Sequence, residues 1–183
     1  LDDLELITGK RPAVTKSHSE LGGSTMTIML PAILLQSLAS LEGMTVGRRT
    51  TQIPEWPAFL FKDGCPKSIA REFLGGLFGG DGWSPYLVTN KQDGQGTVTL
   101  NAPAISQTST AEQSDERVEK MEDIAKLFEF VGVTGARVDK PKPYITNGKQ
   151  MITCVLQLPR GVEFGDKVGF RYCVQKMYRM AAY

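Results

Sequence analysis

The chain has 183 residues with 21 Lys and Arg against 20 Asp and Glu, a formal net charge of +1. That length supports one domain with a full core, or one domain and part of another, and near-neutrality excludes a globally basic binder, so a nucleic-acid surface has to come from local charge asymmetry. Three scattered cysteines and one histidine, His18, provide neither a disulfide framework nor the usual Cys/His zinc set.

The cysteine usage points to a reducing, intracellular compartment, without separating nucleus, cytoplasm and organelle. No apolar run is long enough to span a bilayer, and the acidic opening Leu1–Glu5 lacks the basic region of a secretory signal.

In chain order, Val14 to Leu30 reads as strand broken at Gly22-Gly23, best at the alternating run Thr25–Leu30. Pro31 opens a helical stripe of Ile33, Leu34, Leu35, Leu38 and Leu41, which ends near Gly43. Pro54 and Pro57 make the following stretch an extended connector. A helix starts at Ser68, with Ile69, Phe73 and Leu77 at i, i+4, i+8. Two strands follow, Trp83 to Lys91 and Thr97 to Ile105, joined by the turn Gln92–Gly96. Thr110-Ala111-Glu112-Gln113 resembles a capping box for a helix over 111–131 with the stripe Val118, Met121, Ala125, Phe128 and Val131. Ala136 to Tyr144 and Gln150 to Leu158 read as a second hairpin turned at Asn147-Gly148, with Pro141 and Pro143 marking an edge or irregular strand. A short helix ends the chain, and Phe170, Tyr172 and Cys173 read as core.

One stretch conflicts with its own helix. Ser68 to Gly82 carries Gly75, Gly76, Gly79 and Gly80, and each helical glycine costs about 1 kcal/mol relative to alanine. Small residues at i, i+4 are explained by close approach of a second backbone. Asp81 at the C-terminal end opposes the helix dipole and requires a cation or a metal beside it.

These residues carry a resemblance. Leu74-Gly75-Gly76-Leu77-Phe78-Gly79-Gly80-Asp81-Gly82 resembles the dodecapeptide of the LAGLIDADG homing endonucleases, and the element order from Ser68 is similar to that family's αββαββα unit. Ile53-Pro54-Glu55-Trp56 and Gly169–Lys176 resemble the flanks of its intein-type members. The match covers residues 46–183, and 14–45 more loosely. It implies an α+β fold whose antiparallel sheet forms a DNA-binding saddle. The organisation expected is the C-terminal part of a first repeat over 1–52, a linker over 53–67 and a complete repeat over 68–183.

By the same resemblance, Gly75, Gly76 and Gly79 form the interface between two motif helices. Asp81, with Gly80, binds Mg2+ or Mn2+, a hard ion suited to a carboxylate, waters and phosphate oxygens. Lys176 and Arg49 (or Arg48) fit the family's basic position near the scissile phosphate, the plain alternative for Lys176 being a lysine at a helix start. The family more often has lysine where Arg48 and Arg49 stand. Strands in the major groove make Tyr86, Asn90, Lys91, Thr97, Thr99 and Asn101 candidate DNA readers on the first hairpin. On the second they are Arg137, Lys140, Lys142, Tyr144, Lys149 and Gln150, with solvated strand faces as the plain alternative. The expected function is site-specific, metal-dependent cleavage of double-stranded DNA. The alternative is a cleavage-deficient nucleic-acid binder such as an RNA maturase or regulator. A second motif is missing from these residues, so the partner acid is expected from upstream sequence or a second subunit. There is no Cys or Ser at residue 1 and no terminal His-Asn, so self-splicing by this chain is not expected.

Overall fold

The computed structural model describes residues 2–18, 24–47, 52, 55–90 and 97–182, with backbone alone at 24, 25, 90 and 97. Arg48, Arg49, Ile53, Pro54, Lys91, Gly22-Gly23 and the turn over 92–96 lie outside the described residues. The chain is α+β with antiparallel sheets. Among the described residues, no helix is long and apolar enough to cross a membrane.

The N-terminal part holds α1 (Asp2–Thr8), a hairpin of β1 (Val14–His18) and β2 (Ser24–Ile28), and α2 (Ala32–Ala39). None of its described side chains is buried, and Met26, Met29, Ile33 and Leu35 lie open to solvent. The core begins at Leu60 and is built from later residues.

The glycine-rich helix is α3 (Lys67–Asp81), entered through Pro66 after a 3-10 turn over Ala58–Phe61. Its buried stripe is Ala70, Leu74 and Phe78 with Gly75 and Gly79, one position on from the sequence-based stripe. Ile69 is instead 46 % exposed, and Phe73 and Leu77 are half-buried beside Trp56. The helical period was readable, but alternate apolar faces of α3 compete, and the smaller one fits deepest.

The first hairpin is β3 (Tyr86–Asn90) against β4 (Thr97–Asn101), with Tyr86 opposite Asn101. The second strand does not run unbroken to Ile105. It stops at Asn101 and resumes as β5 (Ala104–Thr110). Pro103 between them has no N–H to give a ladder, and its carbonyl accepts from Leu158 N at 2.9 Å. The Trp83–Ala104 bridge continues the hairpin register and ties β3 to the larger sheet.

That sheet has the order β5-β8-β6, with β7 also paired to β8. The edge reading at the prolines holds: the stretch divides into β6 (Arg137–Asp139) and β7 (Pro143–Thr146), both on β8 (Lys149–Gln157). Asn147 and Gly148 adopt positive φ of 49° and 71°, which makes the two-residue hairpin turn.

Thr110 does not cap the next helix. It is the last residue of β5, paired with Met151, and makes no side-chain cap bond. A 3-10 turn over Ala111–Gln113 leads into α4 (Ser114–Val131), where Asp115 and Glu116 favour the positive end of the dipole. Phe78, Phe128 and Phe164 stack edge-on or tilted at 5.2–6.0 Å, and Phe170 joins at 5.0 Å from Phe164. Phe164 belongs to α5 (Gly161–Lys167), a helix hidden in sequence by Gly161 and Gly165. The chain ends in α6 (Val174–Ala181).

The connector is fastened to α4. Arg117, fully buried, donates Nη2 to Gln52 O at 3.1 Å. Trp56 Nε1 donates to Lys120 O at 2.7 Å, and Lys120 pairs with Glu55 at 3.2 Å. Desolvation holds the Arg117 guanidinium below its ordinary pKa.

Candidate site at the end of the glycine-rich helix

The four glycines of α3 divide into two faces. Gly75 and Gly79 press against the chain's own segment Gly169–Arg171. A Cβ at Gly79 would overlap the Arg171 carbonyl oxygen, and one at Gly75 would strike Arg171 Cγ. Arg171 N also donates to Gly75 O at 2.9 Å, and its guanidinium reaches Glu72 at 3.3 Å. The close approach expected from the sequence is thus made, for this pair, inside the chain. A methyl group at Gly76 or Gly80 would meet nothing within 4 Å among the described residues, and these two glycines form an open edge.

The cation required at the C-terminal end of α3 is Lys176. Its Nζ donates to Phe78 O at 3.1 Å, Gly79 O at 2.7 Å and Gly80 O at 2.9 Å, and lies 5.9 Å from the Phe170 ring centre. Gly79 O and Gly80 O belong to the last turn, whose carbonyls lack intrahelical partners, Phe78 O also accepts from Gly82 N at 3.0 Å, and a positive charge at this end complements the dipole. Lys176 sits in the first turn of α6, as a helix-start lysine would, but its ammonium serves another helix.

Asp81 closes α3 and is exposed. It lines a cavity of about 190 Å³ with Met44, Thr45, Gly47, Gln52, Trp56, Phe73, Leu77 and Gln107 among its walls. Gly47 and Gln52 both lie on this cavity, and Arg48 and Arg49 lie outside the described residues. Among the described residues, no group of three or more His, Cys, Asp or Glu side chains converges. Glu55, the other carboxylate on this cavity, is paired with Lys120. Gly80 O already faces an ammonium. A carboxylate with waters and phosphate oxygens is a donor set that suits a hard divalent ion, and Asp81 supplies one such carboxylate to this cavity.

The sheet sorts the candidate readers. On β8, Ile152, Cys154 and Leu156 are buried, and Lys149, Met151, Thr153, Val155 and Gln157 form the outer face. Register adds Arg137, Asp139, Tyr144, Ser106 and Thr108 to that outer face. Arg137 Nη2 donates to Gln157 Oε1 at 3.0 Å, Gln157 Nε2 to Asp139 Oδ2 at 2.6 Å, and Tyr144 and Thr108 both reach Thr153. Lys140 and Lys142 lie exposed in the link between β6 and β7, while Gln150 falls on the other face opposite Ile145.

The first hairpin does not present its candidates alongside. Ala104 opposes Gln157, an outer-face position, and bridges to Trp83. Strand alternation then puts Leu87, Thr89, Val98 and Leu100 on the outer side. Tyr86, Thr99 and Asn101 point the other way. Asn90 and Thr97 close the ladder as a backbone pair, and Lys91 is outside the described residues. The hairpin projects past the core, with Tyr86 45 % and Leu87 68 % exposed, so polarity does not mark its faces. Continuing the register from the central sheet would have been the informative signal.

Tyr172, expected in the core, is 82 % exposed and takes a positive φ of 61°, because the backbone turns there after pressing Phe170 inward and Arg171 onto α3. Arg179 of α6, which sequence reasoning passed over, meets Ser84 Oγ at 3.4 Å beside the same helix end. The three cysteines are free, and burial pushes the Cys154 thiol up to about 11.

Comparisons with protein-family models, with curated proteins and with solved structures return no match to the chain.

Proposed function

We propose that the chain is a LAGLIDADG-type DNA endonuclease unit, one half of a two-repeat site for divalent-metal-dependent cleavage of double-stranded DNA. The observation that carries this reading is α3: a glycine-rich helix with an open Gly76/Gly80 edge, ending in the exposed carboxylate of Asp81. A second helix with small residues, from a second repeat or subunit, fits that edge at close backbone distance and would bring a second carboxylate beside Asp81. The element order supports the reading: α3, a hairpin bridged to the sheet, α4, strands paired on β8, then two helices. So does the outer sheet face with Arg137, Tyr144 and Lys149.

Within this reading Asp81 would hold Mg2+ or Mn2+ together with the partner acid, waters and phosphate oxygens. When bound, that ion supplies Lewis-acid polarisation of the scissile phosphate and a water nucleophile at neutral pH. The chain's own contributions are orientation and charge. Lys176 fixes the last turn of α3 and so the direction of Asp81. The outer sheet face positions the duplex.

The test is selection of cleaved duplexes from a randomised library in Mg2+, with sequencing of the product ends. A single long site is expected. That no cluster of acids converges with Asp81 among the described residues favours a second reading, binding without cleavage, and tight binding of an intron RNA with no cut in any duplex would replace the first reading with it.

A further inference from the structure

We infer that the cavity between the start of β3 and α6 is a phosphate-binding subsite for the backbone of duplex DNA, with Arg179 as its contacting cation. The inference rests on the DNA reading above. The cavity, of about 410 Å³, is lined by Gly82, Trp83, Ser84, Tyr86, Lys176 and Arg179. Two of these six are basic and none is acidic, so the cavity is complementary to an anion.

The two cations are not equivalent. The Lys176 ammonium has three donors, and all three meet carbonyl oxygens of α3. Reaching a phosphate would mean abandoning the helix end. The Arg179 guanidinium has five N–H donors in a planar fork that matches phosphate oxygens. Among the described residues its one polar contact is the long 3.4 Å approach to the Ser84 hydroxyl. Arg179 is exposed, while Ser84 below it is buried, so the fork is anchored at one corner and open at the others.

The walls add a second component. Trp83 and Tyr86 are 44 % and 45 % exposed, two aromatic rings standing at the rim of a cationic cavity. Such rings give apolar contact to a sugar or base edge next to a phosphate held by arginine. Gly82 joins this cavity directly to Asp81, so a bound phosphodiester lies along the strand that passes the helix end. The basic position near the DNA, which the sequence assigned to Lys176, belongs by this geometry to Arg179.

The experiment compares wild-type protein, R179M, R179K and W83F for binding of a mixed-sequence duplex across 50–200 mM salt. One phosphate contact contributes about 0.9 to the slope of log K against log salt. R179M is expected to reduce the slope by about that amount and to weaken binding several-fold at the low-salt end. R179K is expected to keep the slope. Tryptophan emission should change on binding more in the wild type than in W83F, which keeps only Trp56, a readout independent of whether R179M folds. Binding with an unchanged slope in R179M, or with the same emission change in W83F, overturns the subsite and leaves the DNA reading standing. An equal emission change with inorganic phosphate alone marks a general anion site and overturns the duplex assignment. Absence of duplex binding by the wild type at low salt removes both.

Discussion

Replacing Lys176 by methionine isolates the charge at the end of α3. Methionine keeps an unbranched apolar stem against Phe170 but removes the ammonium that meets the carbonyls of Phe78, Gly79 and Gly80. A hydrogen bond from a charged group contributes about 1.5–3 kcal/mol net, and a cation at a helix C-terminus about 0.3–1 kcal/mol. The three contacts share one side chain that is partly open to solvent, so they do not add, and the expected loss is about 2–3 kcal/mol. For a chain of this length that corresponds to a fall in Tm of roughly 5–10 °C. The loss is local before it is global. Amide exchange followed by mass spectrometry should accelerate first and most in residues 78–84 of K176M, ahead of the amides around Ala70 and Leu74, which are held by the core and open only with the whole domain. A variant with wild-type Tm and wild-type exchange in 78–84 would refute Lys176 as the clamp of this helix.

Three other perturbations test separate parts of the account. Gly79→Ala should cost about 2–3 kcal/mol by overpacking, because its methyl group meets the Arg171 backbone carbonyl, whereas Gly76→Ala should stabilise the isolated chain by up to about 1 kcal/mol and lower cleavage by obstructing the open edge; denaturant melts separate the two. Glu163 accepts from Thr134 N and from Arg160, which brings its pKa down to about 2. Its stabilisation is therefore complete above the unfolded carboxylate range near 4.5 and disappears as pH falls toward 2; Glu163→Gln should flatten that limb of the stability–pH curve. Cys65 and Cys173 should react with a maleimide in the native state and Cys154 only on unfolding, since Cys154 is fully buried and its thiol is raised to about 11; mass spectrometry counts the adducts.

Local chemistry made much of this structure readable. The Asn147-Gly148 turn, the α4 period and the proline-broken edge strand each follow from a residue's own conformational limits. The glycines of α3 were recognisable as an approach surface because no helix carries four without cause. Which surface each pair serves was not readable, since Gly75 and Gly79 are explained by Arg171, almost a hundred residues later. The partner of the helix dipole had the same character: Lys176 is a chemically ordinary lysine until α6 folds against α3. On the first hairpin, the candidate readers Tyr86, Thr99 and Asn101 share one face, and only the Trp83–Ala104 bridge says which face continues the outer sheet face. The exposed apolar side chains of the N-terminal hairpin and α2 look like a core pattern in sequence and find no core among the described residues.

The most direct measurement is single-turnover cleavage of the selected duplex by wild-type protein and Asp81→Asn in Mg2+, alongside binding of the same duplex. Asp81→Asn should lower the cleavage rate by on the order of 10²–10³, as removal of one group that stabilises transition-state charge does, with affinity kept within a few-fold. Equal cleavage by Asp81→Asn, or no divalent-dependent cleavage of a duplex that the wild type binds, would contradict the account.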